Sequence, residues 1–356
     1  MPIKESFAIW NNKGGVGKSS ITFHVATRYA EKNPESKVLV IDMCPQANSS
    51  LILLGGGSGG ENILMENCLH QPVAKTVAGY FSEVISSGQG ASLPNQSRFV
   101  TQVNKVNSEI PDNLYLLCGD PNLELLVPAL NKAIDFPALV PGVDPWIWVH
   151  NILEEFYKGL ADKVGGDWLV FIDTNPSFSI YTEVAISCVE KLIVPVNADD
   201  SSRIATQAMF TLLHGTIPPH PVYSKWTFAA MAPQKRISIP KIHLIVGNRL
   251  TQYDGTAGAF AALSDATADT LFKEFQENKN RFTATSKSIE TMQDFRDHYS
   301  IPLRDFNTSG VVAAHLGKPL SKLTQGKHRI YNRDITVVAA RIKECATAVD
   351  DLLDKL

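Results

Sequence analysis

A glycine-rich run near the start of the chain, residues 11–19, has the residue types and spacing of a phosphate-binding loop. It reads N-N-K-G-G-V-G-K-S and lies between an apolar run and a segment with helical spacing. Glycines let successive backbone N–H groups turn toward phosphate oxygens, and a helix that starts there adds its partial positive charge. Lys18 would reach the β- and γ-phosphates, and Ser19 would ligate Mg²⁺. A glycine turn beside a surface lysine is the alternative, which the strand–loop–helix setting disfavours.

Two aspartates stand at the ends of apolar runs that read as buried strands. Asp42 closes the run 37–42, and Asp173 closes the run 168–173. In open α/β sheets, ligands bind at the carboxyl edge of the strands, where both side chains would lie. Either residue alone could be a strand-end cap. Together with the phosphate loop, they predict a Mg²⁺ site formed by Ser19, Asp42 and Asp173, with Asp173 in the Walker B position.

These residues depend on strands and helices that alternate along the chain. Continuous apolar runs are typical of parallel strands that are buried on both faces. The alternation predicts one doubly wound α/β domain over residues 1–356, a mostly parallel sheet with helices on both faces. Residues 51–110 have the least clear pattern of strands and helices, and we interpret them as an insertion. The remaining predicted elements are strands at 113–119, 191–196 and 242–247 and helices at 123–134, 146–160 and 334–356.

Composition limits the possible classes of function. The formal net charge is -3, so contact with nucleic acid would need a local basic patch. The five cysteines show no metal-binding spacing and are typical of buried apolar residues in a reducing compartment. The start of the chain has no signal-peptide pattern, and no run reaches the ~18–20 apolar residues that span a bilayer. We therefore expect a cytoplasmic protein that does not act on a membrane.

The phosphate loop departs from the general Walker A pattern and resembles a special form of it. Asn12 occupies the position of the first glycine, and Lys13 stands directly before Gly14 and Gly15. The loop is similar to K-G-G-x-G-K-S/T of the ParA/MinD family of deviant Walker A P-loop ATPases. In that family the early lysine crosses a dimer interface and contacts the nucleotide of the partner. The resemblance implies that Lys13 does the work of an arginine finger, although an exposed loop lysine is the alternative.

The resemblance covers nearly the whole chain and extends to other site residues. Residues 41–48 are similar to the family's D-x-D-P-Q-x-N segment, in which the first aspartate, here Asp42, orients the attacking water. Cys44 replaces the second aspartate, and Asn175 departs from the family's I-D-T-P-P-S. The resemblance implies that Lys13, Lys18 and Asp42 are catalytic. It also implies that ATP is bound by Lys13, Gly14, Gly15, Val16, Gly17, Lys18, Ser19, Ser20, Asn248 and Pro302.

The function that this resemblance implies is a slow, partner-stimulated ATPase of plasmid or chromosome partition. Such a protein forms a homodimer with ATP, binds DNA without sequence preference, associates with the nucleoid and responds to a ParB-like partner. Residues 318–333 are basic and contain no acidic residue, which favours phosphate contacts, although an ordinary solvated face is the alternative. Residues 253–256 lack the basic residue that many partition ATPases place there. The candidate DNA-binding residues are Arg304, Lys318, Lys322, Lys327 and Arg329.

A different class of function is positioning of a membrane-bound or protein cargo, as in MinD. A MinD-like protein needs a basic amphipathic helix at its C-terminus, whereas residues 350–356 are acidic. A metal-transport ATPase is a further alternative, but the sequence has neither a second P-loop nor paired metal-binding cysteines. The family pattern does not explain residues 51–110.

Overall fold

The structure of the chain, a computed structural model, describes residues 2–248, 257–303 and 306–356. The strands are Ile3–Ile9 (β1), Lys37–Met43 (β2), Thr101–Gln102 (β3), Leu114–Leu117 (β4), Trp168–Thr174 (β5), Lys191–Asn197 (β6), Lys241–Asn248 (β7), Ser300–Pro302 (β8), Gly326–Ile330 (β9) and Arg333–Val337 (β10). The α-helices are Lys18–Lys32 (α1), Asn48–Leu53 (α2), Gly57–Ile63 (α3), Val77–Ser87 (α4), Leu123–Asp135 (α5), Pro145–Val164 (α6), Ile180–Ser187 (α7), Asp200–His214 (α8), Phe228–Gln234 (α9), Ala257–Glu277 (α10), Met292–Tyr299 (α11), Asn307–His315 (α12) and Ala339–Leu353 (α13).

Eight of these strands form one sheet in the order β3-β4-β2-β5-β1-β6-β7-β8. All neighbouring pairs in it are parallel except β3 and β4. Successive residues of a strand point to opposite faces, so Leu39 and Ile41 pack in one apolar core and Val38 and Val40 in another. Helices cover both cores. The predicted doubly wound α/β fold is confirmed.

The phosphate loop leaves β1 and enters α1 through two glycines with left-handed backbone. Gly15 has φ 72° and Gly17 has φ 86°, a region that glycine occupies without steric cost. A Cβ atom on Gly17 would also lie 2.3 Å from the side-chain nitrogen of Asn248. The helix ends at Lys32, because Pro34 cannot continue it. These features fix the direction in which the loop presents its backbone N–H groups.

The segment that the sequence left unexplained, residues 51–110, folds against the sheet and the cleft. It contains the end of α2, then α3, a π-helix at Leu64–Leu69, α4 and β3. The short β3 adds an antiparallel edge to the otherwise parallel sheet.

The sequence prediction of one long terminal helix was wrong. Residues 334–337 lie in β10, which pairs antiparallel with β9, and the helix α13 begins only at Ala339. The strand alternates polar residues with Ile335 and Val337, which is the period of a strand. Its turn is made by two residues, and Tyr331 there has φ 49°, as a tight hairpin requires.

The helix α13 packs its apolar side onto the rest of the protein. Cys345, Val349 and Leu352 are buried in the core on the α1 side of the sheet. Arg28 of α1 donates to both carboxylate oxygens of Asp350, at 2.7 Å and 3.0 Å. None of the helices within the three described ranges is long and apolar enough to cross a lipid bilayer.

Candidate active site

Lys18 lies at the centre of the phosphate loop, almost fully buried. Its ammonium group donates to the backbone oxygens of Asn11, at 3.1 Å, and of Lys13, at 3.0 Å. Burial lowers the pKa of Lys18, while the negative charge of Asp173 opposes that change. The loop is held by Asn11, whose side chain donates to the oxygen of Pro195 and accepts from the N–H of Lys13. A lysine held in this way can transfer its hydrogen bonds to an anion in the loop.

Asp42 and Asp173 lie side by side on neighbouring parallel strands. They are paired residues in the register of β2 with β5, and both are fully buried. Asp42 accepts from the N–H of Cys44 at 3.0 Å and from the N–H and hydroxyl of Ser50 at 2.9 Å and 2.8 Å. Asp173 accepts from the hydroxyl of Ser49 at 2.5 Å. The sequence predicted both aspartates at this edge, and the fold brings them together.

The two carboxyl groups and the thiol of Cys44 form a cluster whose ligand atoms lie within 4.8 Å of one another. Burial raises the pKa of Asp42, and the charge of Asp173 raises it further. Burial also raises the pKa of Asp173, against hydrogen bonds from Ser19 and Ser49. The Oδ1 atom of Asp173 is buried and has no hydrogen-bond partner among the described residues. Because a buried charge without a partner is costly, the donor set fits a divalent cation.

Lys13 does not point into open solvent. Its ammonium group forms an ion pair with the carboxylate of Asp199 and donates to the hydroxyl of Ser202 at 3.2 Å. Burial acts to raise the pKa of Asp199. Hydrogen bonds from Lys13 and Ser201 outweigh burial and lower this pKa to about 2. Asp199 is also the N-cap of α8, since it accepts from the N–H of Ser202. In this single chain, the lysine that the resemblance assigns to a partner's nucleotide is held by its own chain.

A cleft of about 680 Å³ opens over the phosphate loop. Its lining includes Lys18, Ser19 and Ser20, the loop at 56–57 and His315 at the end of α12. The volume lies in the range of small-molecule sites, ≈ 300–1,000 Å³. Its inner end reaches the phosphate loop, and its outer wall comes from residues 51–61 and the C-terminal part of the chain.

Two further residues that the resemblance assigns to ATP binding occupy different places. Asn248, at the end of β7, donates to the backbone oxygen of Val16 at 2.8 Å and so contacts the phosphate loop. Pro302 lines a separate cleft of about 580 Å³ between the ends of β6 and β7 and the helices α10 and α11. The structure therefore brings Asn248, but not Pro302, into contact with the phosphate loop.

The basic candidates for DNA contact are partly neutralised by acidic residues from outside the stretch 318–333. Lys318 pairs with Glu109 at 2.9 Å, and Arg329 pairs with Asp334, its opposite residue on β10, at 3.3 Å. Lys322 donates to the backbone oxygen of Ser108 at 3.4 Å. Lys327 lies on the exposed side of β9. Arg304 and residues 253–256 lie outside the described residues.

Sequence reasoning missed several residues that hold the site. Ser49 and Ser50 follow Asn48 in the segment after Asp42, and their role could not be read from a pattern of motif positions. Asp199 and Ser202 had a usable signal, because an aspartate three residues before a serine at a helix start is typical of an N-cap. Their contacts with Lys13 have no such signal, since they join residues 186 and 189 apart.

Comparison with known proteins gives a family match for the first third of the chain. Residues 4–124 match a family described as AAA domain. Among solved structures, apo McdA from Cyanothece is 15% identical over 99% of each chain, with a TM-score of 0.56. An ATP complex of a single-residue variant of Cyanothece McdA is 14% identical over 99% of this chain and 95% of that one, with a TM-score of 0.59. At these identities the likeness concerns the fold. No curated protein sequence matches the chain.

Proposed function

We propose that this chain, whose phosphate loop resembles that of the ParA/MinD-like deviant Walker ATPases and whose fold is similar to that of Cyanothece McdA, is an ATP-hydrolysing switch that dimerises with ATP. The observation that carries the proposal is the convergence of Lys18, Asp42 and Asp173 at one edge of the sheet. Lys13 lies at the same edge. This combination provides a phosphate-binding loop, a cation site and a second positive charge, which are the parts that phosphoryl transfer needs.

Each residue of the site has a specific role in this proposal. The backbone N–H groups of residues 14–19 hold the phosphates, and Lys18 exchanges its two carbonyl partners for phosphate oxygens. Ser19, Asp42 and Asp173 would hold Mg²⁺, which would supply positive charge beside the phosphates. Asp42, held by Ser50, orients the attacking water.

Lys13 connects hydrolysis to dimerisation. Its ion pair with Asp199 holds it beside the start of α8 in the single chain. On dimerisation it exchanges this carboxylate for the phosphates of the nucleotide in the second copy, and its charge stabilises the transition state there. Hydrolysis then depends on protein concentration, because a single chain lacks the crossing cation.

The test of this function measures ATP turnover and dimer formation for wild type and the Lys13→Ala variant. We expect unchanged nucleotide affinity and turnover lower by about 100-fold, the effect of removing one charge-stabilising group. Lys4→Ala is a matched control, because Lys4 is an exposed lysine at the opposite end of β1. Equal turnover in wild type and the Lys13 variant would exclude the crossing role.

We further propose that the ATP-bound dimer binds the phosphate groups of DNA and that it acts in plasmid or chromosome partition. Lys327 and Arg329 support DNA binding, because both lie on the same face of the strand β9. Glu109 and Asp334 neutralise part of the charge nearby, so the expected affinity is modest and sensitive to salt. A Lys327→Ala/Arg329→Ala variant should lose affinity equally for all sequences, and binding that is insensitive to salt would contradict the proposal. A ParB-like protein is the expected stimulator of hydrolysis.

The second candidate, positioning of another cargo, differs in the surface that it uses. The packing of α13 onto α1 argues against a MinD-like membrane helix at that end, because its apolar residues are already buried. Cargo positioning on a protein assembly is compatible with the same switch. Co-sedimentation with liposomes and with DNA, each with ATP and with ADP, separates the candidates. ATP-dependent binding to liposomes alone would favour the membrane role.

A further inference from the structure

Two of the cysteines, 50 residues apart in the chain, meet in the core beside β4. The sulfur atoms of Cys68 and Cys118 lie 3.4 Å apart, and both residues are buried. No spacing pattern in the sequence joins these two residues. Their separation is longer than the ~2.05 Å of a disulfide bond by little more than 1 Å, a shift that side-chain rotation and small backbone movement can supply.

One short backbone segment, residues 75–77, contacts both cysteines. The N–H of Lys75 donates to the oxygen of Cys68 at 3.2 Å, and the N–H of Val77 donates to the oxygen of Cys118 at 2.9 Å. Thr76, between them, also forms a β-bridge with Cys118. The approach of the two thiols is therefore fixed by the main chain and not by side-chain rotamers alone.

The pair is buried, but Cys68 belongs to an element that also carries exposed residues. Cys68 lies in the π-helix Leu64–Leu69, in which the three preceding residues, 65–67, are exposed. A single π-helical turn is rare in proteins and is frequent at functional positions. Local opening of such a short element costs less than global unfolding, which gives a small oxidant access to the thiols.

The pair is linked to the nucleotide site through the residue that follows Cys118. The N–H of Gly119 donates to the hydroxyl of Ser50 at 2.9 Å, and that hydroxyl donates to Asp42 at 2.8 Å. A Cβ atom on Gly119 would lie 2.9 Å from the carboxyl carbon of Asp42 and 2.7 Å from the oxygen of Cys44. Gly119 thus lies close to both residues, which gives a movement of Cys118 a direct path to Asp42.

We propose that Cys68 and Cys118 form a reversible disulfide, with hydrogen peroxide as the oxidant, and that this bond slows the nucleotide site through Gly119 and Ser50. The second part rests on the proposed ATPase function. Neither thiol has a role in the proposed phosphate or cation site, so their contact is available for this chemistry.

The reaction proceeds in two balanced steps. The Cys68 thiolate attacks one oxygen of peroxide, the O–O bond breaks, and Cys68 becomes a sulfenic acid while hydroxide leaves and takes up the proton of the thiol. The Cys118 thiol then attacks the sulfur of Cys68, the S–S bond forms, and the sulfenic oxygen leaves with the Cys118 proton as water. Cys68 is the first nucleophile, because its hydrogen bond with Cys118 and the charge of Lys75 lower its pKa despite burial.

The experiment treats the folded, full-length protein with hydrogen peroxide, blocks free thiols under denaturing conditions and counts them. We expect the number of free thiols to fall from five to three, with peptides of Cys68 and Cys118 linked, and dithiothreitol to restore all five. A Cys188→Ser control, which removes a buried cysteine elsewhere, should still lose two thiols, whereas Cys68→Ser should lose none. Five remaining thiols in the oxidised wild type, or a link through another cysteine, would overturn the proposal.

The second readout is ATP turnover of the same samples. Oxidised wild type should turn over about 10- to 100-fold more slowly than the reduced protein, as misplacement of a site by a fraction of an ångström allows. Reductant should restore the rate. A disulfide that forms without any change in turnover would overturn the coupling to Asp42. If the reduced protein has no turnover at all, the ATPase proposal fails, while the thiol count still decides the disulfide.

Discussion

Protonation of His24 should make the stability of this protein depend on pH. His24 lies on α1, the helix that starts with Lys18, and is almost completely buried. Its ring packs 4.4 Å from that of Phe306 and 5.0 Å from that of Phe23, between centroids. Neither ring nitrogen has a hydrogen-bond partner among the described residues. Burial in this apolar setting lowers the pKa of His24 from 6.5 to about 3.

The magnitude follows from the difference between the folded and unfolded pKa values. The unfolded chain takes up a proton as the pH falls below 6.5, whereas the folded chain stays neutral at this residue until about pH 3. The unfolded state therefore binds more protons in this window, and the free energy of unfolding decreases as the pH falls. Each pH unit is worth about 1.4 kcal/mol, so His24 should cost about 1.4 kcal/mol at about pH 5.5. Above the unfolded pKa the residue has no effect.

The assay is urea unfolding of wild type and His24→Leu at about pH 7.5 and about pH 5.5. Leucine removes the titrating group and keeps an apolar side chain of similar size, so any constant change in stability cancels in the pH difference. His214, whose pKa burial also lowers, to about 4, titrates in both proteins. Between the higher and the lower pH, the free energy of unfolding should fall by about 1.4 kcal/mol more in wild type than in the variant. An identical pH dependence in both proteins would refute the reasoning.

Three further predictions concern the nucleotide site. Lys18→Ala should abolish tight ATP binding, because it removes the buried charge of the loop, and calorimetric titration with wild-type affinity would contradict this. Asp42→Ala should trap an ATP-bound dimer, because the residue that orients water is lost, and a monomer on size exclusion with ATP would count against that role. Asp199→Asn should release Lys13 and lower the protein concentration for ATP-dependent dimerisation by about two- to fivefold, as expected of a partly exposed ion pair. An unchanged midpoint in sedimentation velocity would show that the ion pair does not restrain Lys13.

The parts of the site that lie close together in sequence were predictable. The rest depend on the order of the strands in the sheet. The loop 11–19 has a pattern that specifies both a backbone path and a ligand. Asp42 and Asp173 could each be placed at the carboxyl edge, since a buried apolar strand must end there. Their pairing as neighbours depends on strand order, and no local pattern determines that β2 lies beside β5.

Long-range polar contacts were outside the reach of sequence reasoning. Lys13 looks like a free loop lysine in the sequence, and only the fold places Asp199 beside it. The basic stretch 318–333 contains no acidic residue, and only the fold brings Glu109 beside Lys318 and pairs Asp334 with Arg329 across the β9–β10 hairpin. A sequence pattern shows only which charges are adjacent along the chain. The electrostatic potential at a surface depends on the charges of every segment that reaches it.

The segment at 51–110 is a structural part of the nucleotide cleft. A Cβ atom on Gly56 would lie 2.2 Å from the backbone oxygen of His315, so the loop and the end of α12 are in backbone contact. Asn107 strengthens this contact by donating to the oxygens of Leu53 and Gly317, each at 2.9 Å. Glycine at position 56 is thus required by packing as well as by its positive φ. The family motifs predict the chemistry at the phosphate end, but the opposite wall is built by backbone contacts that no motif encodes. Differences in nucleotide affinity from the deviant Walker ATPases that the phosphate loop resembles should therefore map to this wall and not to residues 11–19.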